Sequence, residues 1–188
     1  MSVDSMDAVV PAGPGVRSVV SPPVRVAVVG CGAMTRENLM PVLCGYERIR
    51  LVALVDVNEA NARALADSYG VPAVLTSLDA LTKDLVDAVM IATPPAFHAP
   101  QAIELARRGL HLFVEKPMVL DAAEGERMLA AAAAAGVTLS VGLYRRLLPS
   151  TRLLRGLVES GIVGRPLAVD IEEGGEYGWP LASLGNLT

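Results

Sequence analysis

Glu115, Lys116 and Pro117 close a short strand-like run, 111–114, with an acid, an amine and a rigid ring in direct succession. An ion pair fixed in this way can orient and polarise a polar substrate. As mere surface it would add little stability. A second group ends the run 88–92. Thr93, Pro94 and Pro95 form a stiff turn whose prolines withhold backbone donors, and the turn delivers His98 to the cleft side. A third follows the run 24–29 as Gly30-Cys31-Gly32-Ala33-Met34. The first glycine permits a tight turn. The second lets the backbone approach a pyrophosphate at a helix N-terminus, where free N–H groups and the positive end of the helix dipole sit. The third glycine position of that fingerprint is Thr35, a departure expected to loosen helix-to-strand packing.

Asp56 ends the second strand-like run, near the ~20 residues after the glycine loop at which a ribose-binding acid is expected. A carboxylate there accepts hydrogen bonds from both adenosine ribose hydroxyls. The alternative is a helix cap, a role Asn58 already offers. Together the loop and Asp56 specify a nucleotide-binding fold without fixing its chemistry, because S-adenosylmethionine-dependent methyltransferases share the layout. Glu115-Lys116-Pro117 speaks against a methyltransferase.

The elements that must position these residues can be read from the same chain. Runs 24–29, 50–55, 73–75, 88–92, 111–114 and 138–141 are short and nearly all apolar, as strands buried on both faces are. Helical patterns lie between them. Asn58 caps a helix over 59–69 that ends at Gly70, Gly109 ends one over 99–108, and Asp121 with Glu124 makes a capping-box pattern before a helix stopping at Gly136. Alternating strands and helices with short connections predict an α/β domain, a doubly wound parallel sheet, over residues 24–145.

Composition narrows the function classes. The chain has 188 residues, 52% of them hydrophobic, a net charge of −4 and only the pairs Arg107/Arg108 and Arg145/Arg146 as basic clusters. Little is available to neutralise a phosphate backbone, so nucleic acid is not an expected partner. Mean hydropathy is +0.45, yet no stretch reaches the ~18 uninterrupted apolar residues of a spanning helix, so no membrane is expected. Cys31 and Cys44 form no Cys-x-x-Cys pair, and His98 and His111 are the only histidines, so no metal site is expected. Residues 1–23, rich in proline and glycine and carrying Asp4 and Asp7, read as a disordered tail without a secretory signal. The expected setting is cytoplasmic.

The order and spacing of Gly-Cys-Gly-Ala-Met, Thr-Pro-Pro-x-x-His, Glu-Lys-Pro and Val141-Gly142-Leu143-Tyr144-Arg145-Arg146 resemble the glucose-fructose oxidoreductase/inositol dehydrogenase (Gfo/Idh/MocA) family. The resemblance covers residues 24 to about 175. It implies an NAD(P)-binding Rossmann fold and hydride transfer on sugars, cyclitols and related hydroxyl or carbonyl compounds. It further implies that Gly30, Gly32, Ala33 and Met34 hold the pyrophosphate and that Asp56 holds the adenosine ribose, favouring NAD over NADP. Thr93, Pro94 and His98 would line the cofactor cleft, Glu115 would sit beside the nicotinamide ribose, and Lys116 would touch the reacting oxygen as the catalytic group. The Lys116–Pro117 peptide would be cis. Arg145 and Arg146 would fall at the domain junction, where Arg146 has a structural ion pair as its alternative role.

Past residue 145 the rhythm changes. A helical segment at 150–159, a strand-like run at 167–171 and a glycine-rich end read as the start of a second α+β domain, spanning 146–188, for substrate binding or oligomerisation. The Asp-x-x-x-His motif that supplies the family's acid/base pair does not occur between Val163 and Thr188. Two readings follow: the cofactor-binding part of a dehydrogenase, or a catalytically silent dinucleotide-binding module. An unpaired strand at 167–171, with Trp179, Pro180 and Leu181 beyond it, favours self-association, so a homo-oligomer is a possible state.

Overall fold

The structure, a computed structural model, describes residues 22–171. Its centre is a parallel sheet of β1 (Val24–Val29), β2 (Ile49–Val55), β3 (Ala73–Leu75), β4 (Ala88–Ile91), β5 (His111–Val114) and β6 (Leu139–Val141). The strands lie in the order β3-β2-β1-β4-β5-β6. The chain builds outward from β1 in one direction, then returns to its other side with β4, which places a topological switch point between β1 and β4. Every neighbouring pair is parallel, so each connection must cross over, and helices supply the crossovers.

Alternation along β1 distributes the core to two faces. Val26 and Val28 pack with Leu54 and Met90 against Met40 and Leu43 of α1 (Met40–Cys44) and Ala62, Leu65 and Ala66 of α2 (Glu59–Tyr69). Ala27 and Val29 point the other way, with Ile91, Leu112 and Val114. On that face they meet Ala102 and Leu105 of α3 (His98–Arg107) and Met128 of α4 (Ala122–Ala135). Each fully buried Val, Leu, Ile or Met side chain contributes about 1.5–3 kcal/mol. Both faces are therefore covered, as the apolar strand runs require.

Helix ends follow the expected chemistry. The Asn58 side chain accepts from the Ala60 N–H, and Gly70 closes α2 in the left-handed region at φ 68°. Asp121 accepts from the N–H groups of Ala123 and Glu124, and Gly136 ends α4. The helix after β1 is less regular: a π-helical segment, Thr35–Leu39, precedes α1. Pro41, the second residue of α1, lacks an N–H and in a regular helix clashes with the carbonyl four residues back. The wider turn, with the Met40 N–H donating to the Thr35 carbonyl, accommodates it.

At the amino-terminal edge of the sheet, Arg25 grips Asp87. Its Nε and Nη2 reach the two carboxylate oxygens at 3.2 and 2.7 Å, and its backbone N–H donates to Oδ2 at 2.8 Å. These hydrogen bonds hold the Asp87 carboxyl below the usual carboxylate range. Beside it the Thr138 N–H donates to His111 Nδ1 at 3.0 Å.

Beyond β6 the expected helix is present as α5 (Pro149–Glu159). The strand expected at 167–171 is not: this stretch has no regular structure, and Leu167 is 93% exposed. A strand is held by hydrogen bonds to a neighbour, and no described segment pairs with this one. Of the tail expected over 1–23, residues 1–21 lie outside the described residues, as do those from 172 to Thr188, including Trp179, Pro180 and Leu181. Among the described residues no helix is long and apolar enough to cross a membrane.

Candidate functional site

The parallel ladder brings the loops together. Just past the strand ends, Gly30 N–H donates to Val55 O, Ala92 N–H to Val29 O, Glu115 N–H to Ile91 O and Gly142 N–H to Val114 O, all at 2.8–2.9 Å. The loops after β1, β2, β4, β5 and β6 thereby open on one edge of the sheet, around the switch point. Ligands of open α/β sheets bind at such an edge.

Gly30 and Gly32 differ in what they do. Gly30 has φ +93°, and a Cβ there would lie 2.8 Å from Ala92 C and O and from Thr93 N. It is the contact point between the turns after β1 and β4. At Gly32 a Cβ would meet nothing within 4 Å, so the backbone faces open space beside the helix start, with Ala33 and Met34 half-buried next to it. The first N–H groups of a helix have no intrahelical acceptor, and this opening leaves them approachable. Thr35, expected to loosen the packing, tightens it: the residue is fully buried and its hydroxyl donates to the Gly30 carbonyl.

Asp56 is tied across to the same loop. Its Oδ2 accepts from the Cys31 N–H at 2.7 Å and its Oδ1 from the Asn58 N–H at 2.8 Å. The helix cap itself is Asn58. The Cys31 side chain turns into the core, 1% exposed, and burial together with the Asp56 carboxylate pushes its thiol up to about 12. Cys31 is thus a packing residue whose N–H orients the acid.

The turns after β4 and β5 stand side by side. The Thr93 hydroxyl donates to Gln101 Oε1 at 2.7 Å, and Pro94 is exposed. Glu115 is half-buried, with Oε2 accepting from the Lys116 N–H at 3.1 Å. Lys116 is exposed at the edge, and the Lys116–Pro117 peptide is cis, as expected. His98 is placed differently from its neighbours. It is 1% exposed, with Nδ1 2.9 Å from the Pro117 carbonyl and Nε2 2.8 Å from the Thr93 carbonyl. Both partners are acceptors, so the ring must donate; a neutral imidazole donates to one and an imidazolium to both. Among the described residues, no group of three or more His, Cys, Asp or Glu could hold a metal ion.

Two further residues belong to this edge. A Cβ at Gly142 would sit 3.1 Å from both carboxylate oxygens of Glu115, so a side chain there would push the carboxylate aside by a few tenths of an ångström. Its signal in the sequence is a glycine directly after a strand. Gln101, the partner of Thr93, lies three positions past His98 on α3, and nothing in the sequence singles it out. Arg145 and Arg146 lie in the exposed turn Tyr144–Leu147, where the Arg145 guanidinium stacks over the Tyr144 ring at 5.9 Å from its centroid.

Fold and edge together define a dinucleotide-binding domain of the oxidoreductase kind. The chain belongs to the Gfo/Idh/MocA family, described as an oxidoreductase family with an NAD-binding Rossmann fold, whose family model matches residues 24–143. It is 32% identical over 146 residues to Oxidoreductase P35 of Formosa agariphila, covering 77% of this chain and 46% of that protein. It is 34% identical over 145 residues to inositol 2-dehydrogenase of Corynebacterium glutamicum, covering 76% and 43%. Among solved structures, the WlbA dehydrogenase of Bordetella pertussis in complex with NADH and UDP-GlcNAcA is similar at a TM-score of 0.71 and 34% identity, covering 76% of this chain and 44% of that one. Scyllo-inositol dehydrogenase of Lactobacillus casei with NAD(H) and scyllo-inositol is similar at 0.70 and 26% identity, covering 76% and 42%. The chain thus spans less than half the length of these relatives.

Proposed function

We propose that this chain is the NAD(H)-binding part of a dehydrogenase that acts on a sugar, cyclitol or related hydroxyl or carbonyl compound. The observation carrying this reading is the convergence of the glycine loop, Asp56, Thr93, Glu115 and Lys116 on one sheet edge at the switch point. The open space at Gly32 fits a pyrophosphate approaching Gly30, Gly32, Ala33 and Met34. Asp56, already fixed by two backbone donors, presents a carboxylate suited to ribose hydroxyls. Thr93 and Pro94 border the nicotinamide end, and Glu115 stands beside the nicotinamide ribose.

When bound, the nicotinamide supplies the hydride donor or acceptor. Lys116 orients and polarises the reacting oxygen of the substrate, and the neighbouring Glu115 carboxylate anchors its backbone N–H. A cytoplasmic setting is part of this reading, since Cys31 and Cys44 are both free thiols. A second reading, a dinucleotide-binding module without turnover, rests on the same glycine loop and Asp56.

Fluorescence titration with NADH and NADPH, run beside dehydrogenation assays on inositols and nucleotide sugars, tests the proposal. Asp56 facing the extra 2′-phosphate is a like-charge contact. Only ~1.4 kcal/mol gives a tenfold preference for NADH, and Asp56→Ser should narrow it. Equal affinities in the wild type would remove Asp56 from the ribose site. With turnover present, Lys116→Ala should depress kcat far more than cofactor affinity. Full turnover in that variant would exclude Lys116 from the chemistry, and binding without turnover in the wild type would support the second reading.

A further inference from the structure

The structure assigns His98 a positioning role: its buried ring bridges the turn after β4 to the turn after β5 and thereby sets where Lys116 stands. The ring leaves the first residue of α3 and faces Thr93 O at 2.8 Å on one side and Pro117 O at 2.9 Å on the other. Thr93 O belongs to the turn that abuts Gly30. Pro117 O belongs to the residue directly following Lys116, across the cis peptide. One imidazole therefore spans the two walls of the cleft with the stiffness of a planar ring, where a longer flexible side chain would leave both turns free to drift. At 1% exposure the ring is shielded from water, and losing it would remove the link between the two carbonyls. His98 touches no group in the open cleft through its nitrogens, so its influence passes through the backbone of its neighbours. That Lys116 is the residue at the reacting oxygen rests on the function proposed above; the bridge does not.

Lys83 and Lys116 are the lysines of the sequence, so reductive methylation with ¹³C-formaldehyde gives a simple NMR spectrum in which Lys83 is an internal reference. In the cofactor-free 188-residue chain, His98→Leu should move and broaden the Lys116 dimethyl signal while the Lys83 signal stays in place. If the histidine were merely stabilising, its loss would lower the melting temperature and leave both signals unchanged. His98→Asn, whose amide nitrogen can replace Nδ1 towards Pro117 O, should restore the Lys116 signal more fully than His98→Gln, whose amide nitrogen replaces Nε2 towards Thr93 O. In the unsubstituted protein, ¹H–¹⁵N spectra should show a His98 ring N–H exchanging with water at least about tenfold more slowly than any His111 ring N–H. This arm needs no variant to fold. An unmoved Lys116 signal in folded His98→Leu, or a His98 ring proton exchanging as fast as that of His111, overturns the assignment. Failure of the wild type to bind NADH would instead refute the proposed function and leave these cofactor-free readouts standing.

Discussion

The same substitution, glycine to alanine, should have opposite consequences at positions two residues apart. At Gly30, φ +93° lies where an L-residue loses about 1–2 kcal/mol. The added methyl would also stand 2.8 Å from the backbone of Ala92 and Thr93, which cannot rotate away as a side chain could. Overpacking of this kind costs about 1–3 kcal/mol, so Gly30→Ala should destabilise the fold by about 2–5 kcal/mol. At roughly 2–4 °C per kcal/mol for a chain of this size, its melting temperature should fall by roughly 4–20 °C. At Gly32 the methyl meets nothing within 4 Å and the backbone is not left-handed. Stability should stay within about 0.5 kcal/mol of wild type. The methyl occupies the space proposed for the pyrophosphate, so NADH affinity should fall about tenfold or more, equivalent to ~1.4 kcal/mol. Circular-dichroism melts and NADH fluorescence titrations on the two variants provide the comparison. Equal melting temperatures for the two, or wild-type NADH affinity in Gly32→Ala, would refute the division of labour between the glycines.

Two further outcomes follow from the titratable groups. Asp87 has its carboxyl lowered by the Arg25 hydrogen bonds, so the pair stabilises the fold above the ordinary carboxylate range and loses that contribution as pH falls through the lowered value. Denaturant melts from pH 7 downward should therefore show wild type losing its advantage over Asp87→Asn in acid; a constant difference would mean that the pair contributes nothing to the pH dependence. Cys31 is buried with its thiol pushed up to about 12, whereas Cys44 is exposed. Iodoacetamide at pH 8 should label Cys44 in the native protein and reach Cys31 only after denaturation, and mass spectrometry showing native labelling at Cys31 would place that side chain outside the core.

What could be read in advance was local. Each strand is an apolar run bounded by turn residues, so all six were legible to within a residue at either end. Asn58, Gly70, Asp121 and Gly136 mark helix ends through contacts within a few positions of themselves. The misreadings concern partners distant in sequence. The run 167–171 has strand composition, yet no described segment pairs with it. Thr35 in a glycine position implies a looser loop, but its hydroxyl partner, the Gly30 carbonyl, depends on how the turn folds back. His98 was expected to line the cleft, but its ring is held by two carbonyls, one of them nineteen residues away. Gly142 and Glu115 come together only because β5 and β6 are adjacent.

Arg25 stands near the start of the six-residue strand β1, and Gly30 follows directly after its end. At one end Arg25 clamps Asp87; at the other Gly30 opens the ligand-facing edge, and the interior of β1 between them is fully packed. Changes that strengthen or weaken the clamped end are separated from the open end by five residues, roughly 17 Å along a strand. Effects at such separations usually add independently. Selection acting on thermal tolerance and selection acting on ligand preference therefore have residues at different ends of β1 to work on. A lineage carrying this sheet can adjust its robustness at the Arg25 edge without renegotiating what it binds at the Gly30 edge.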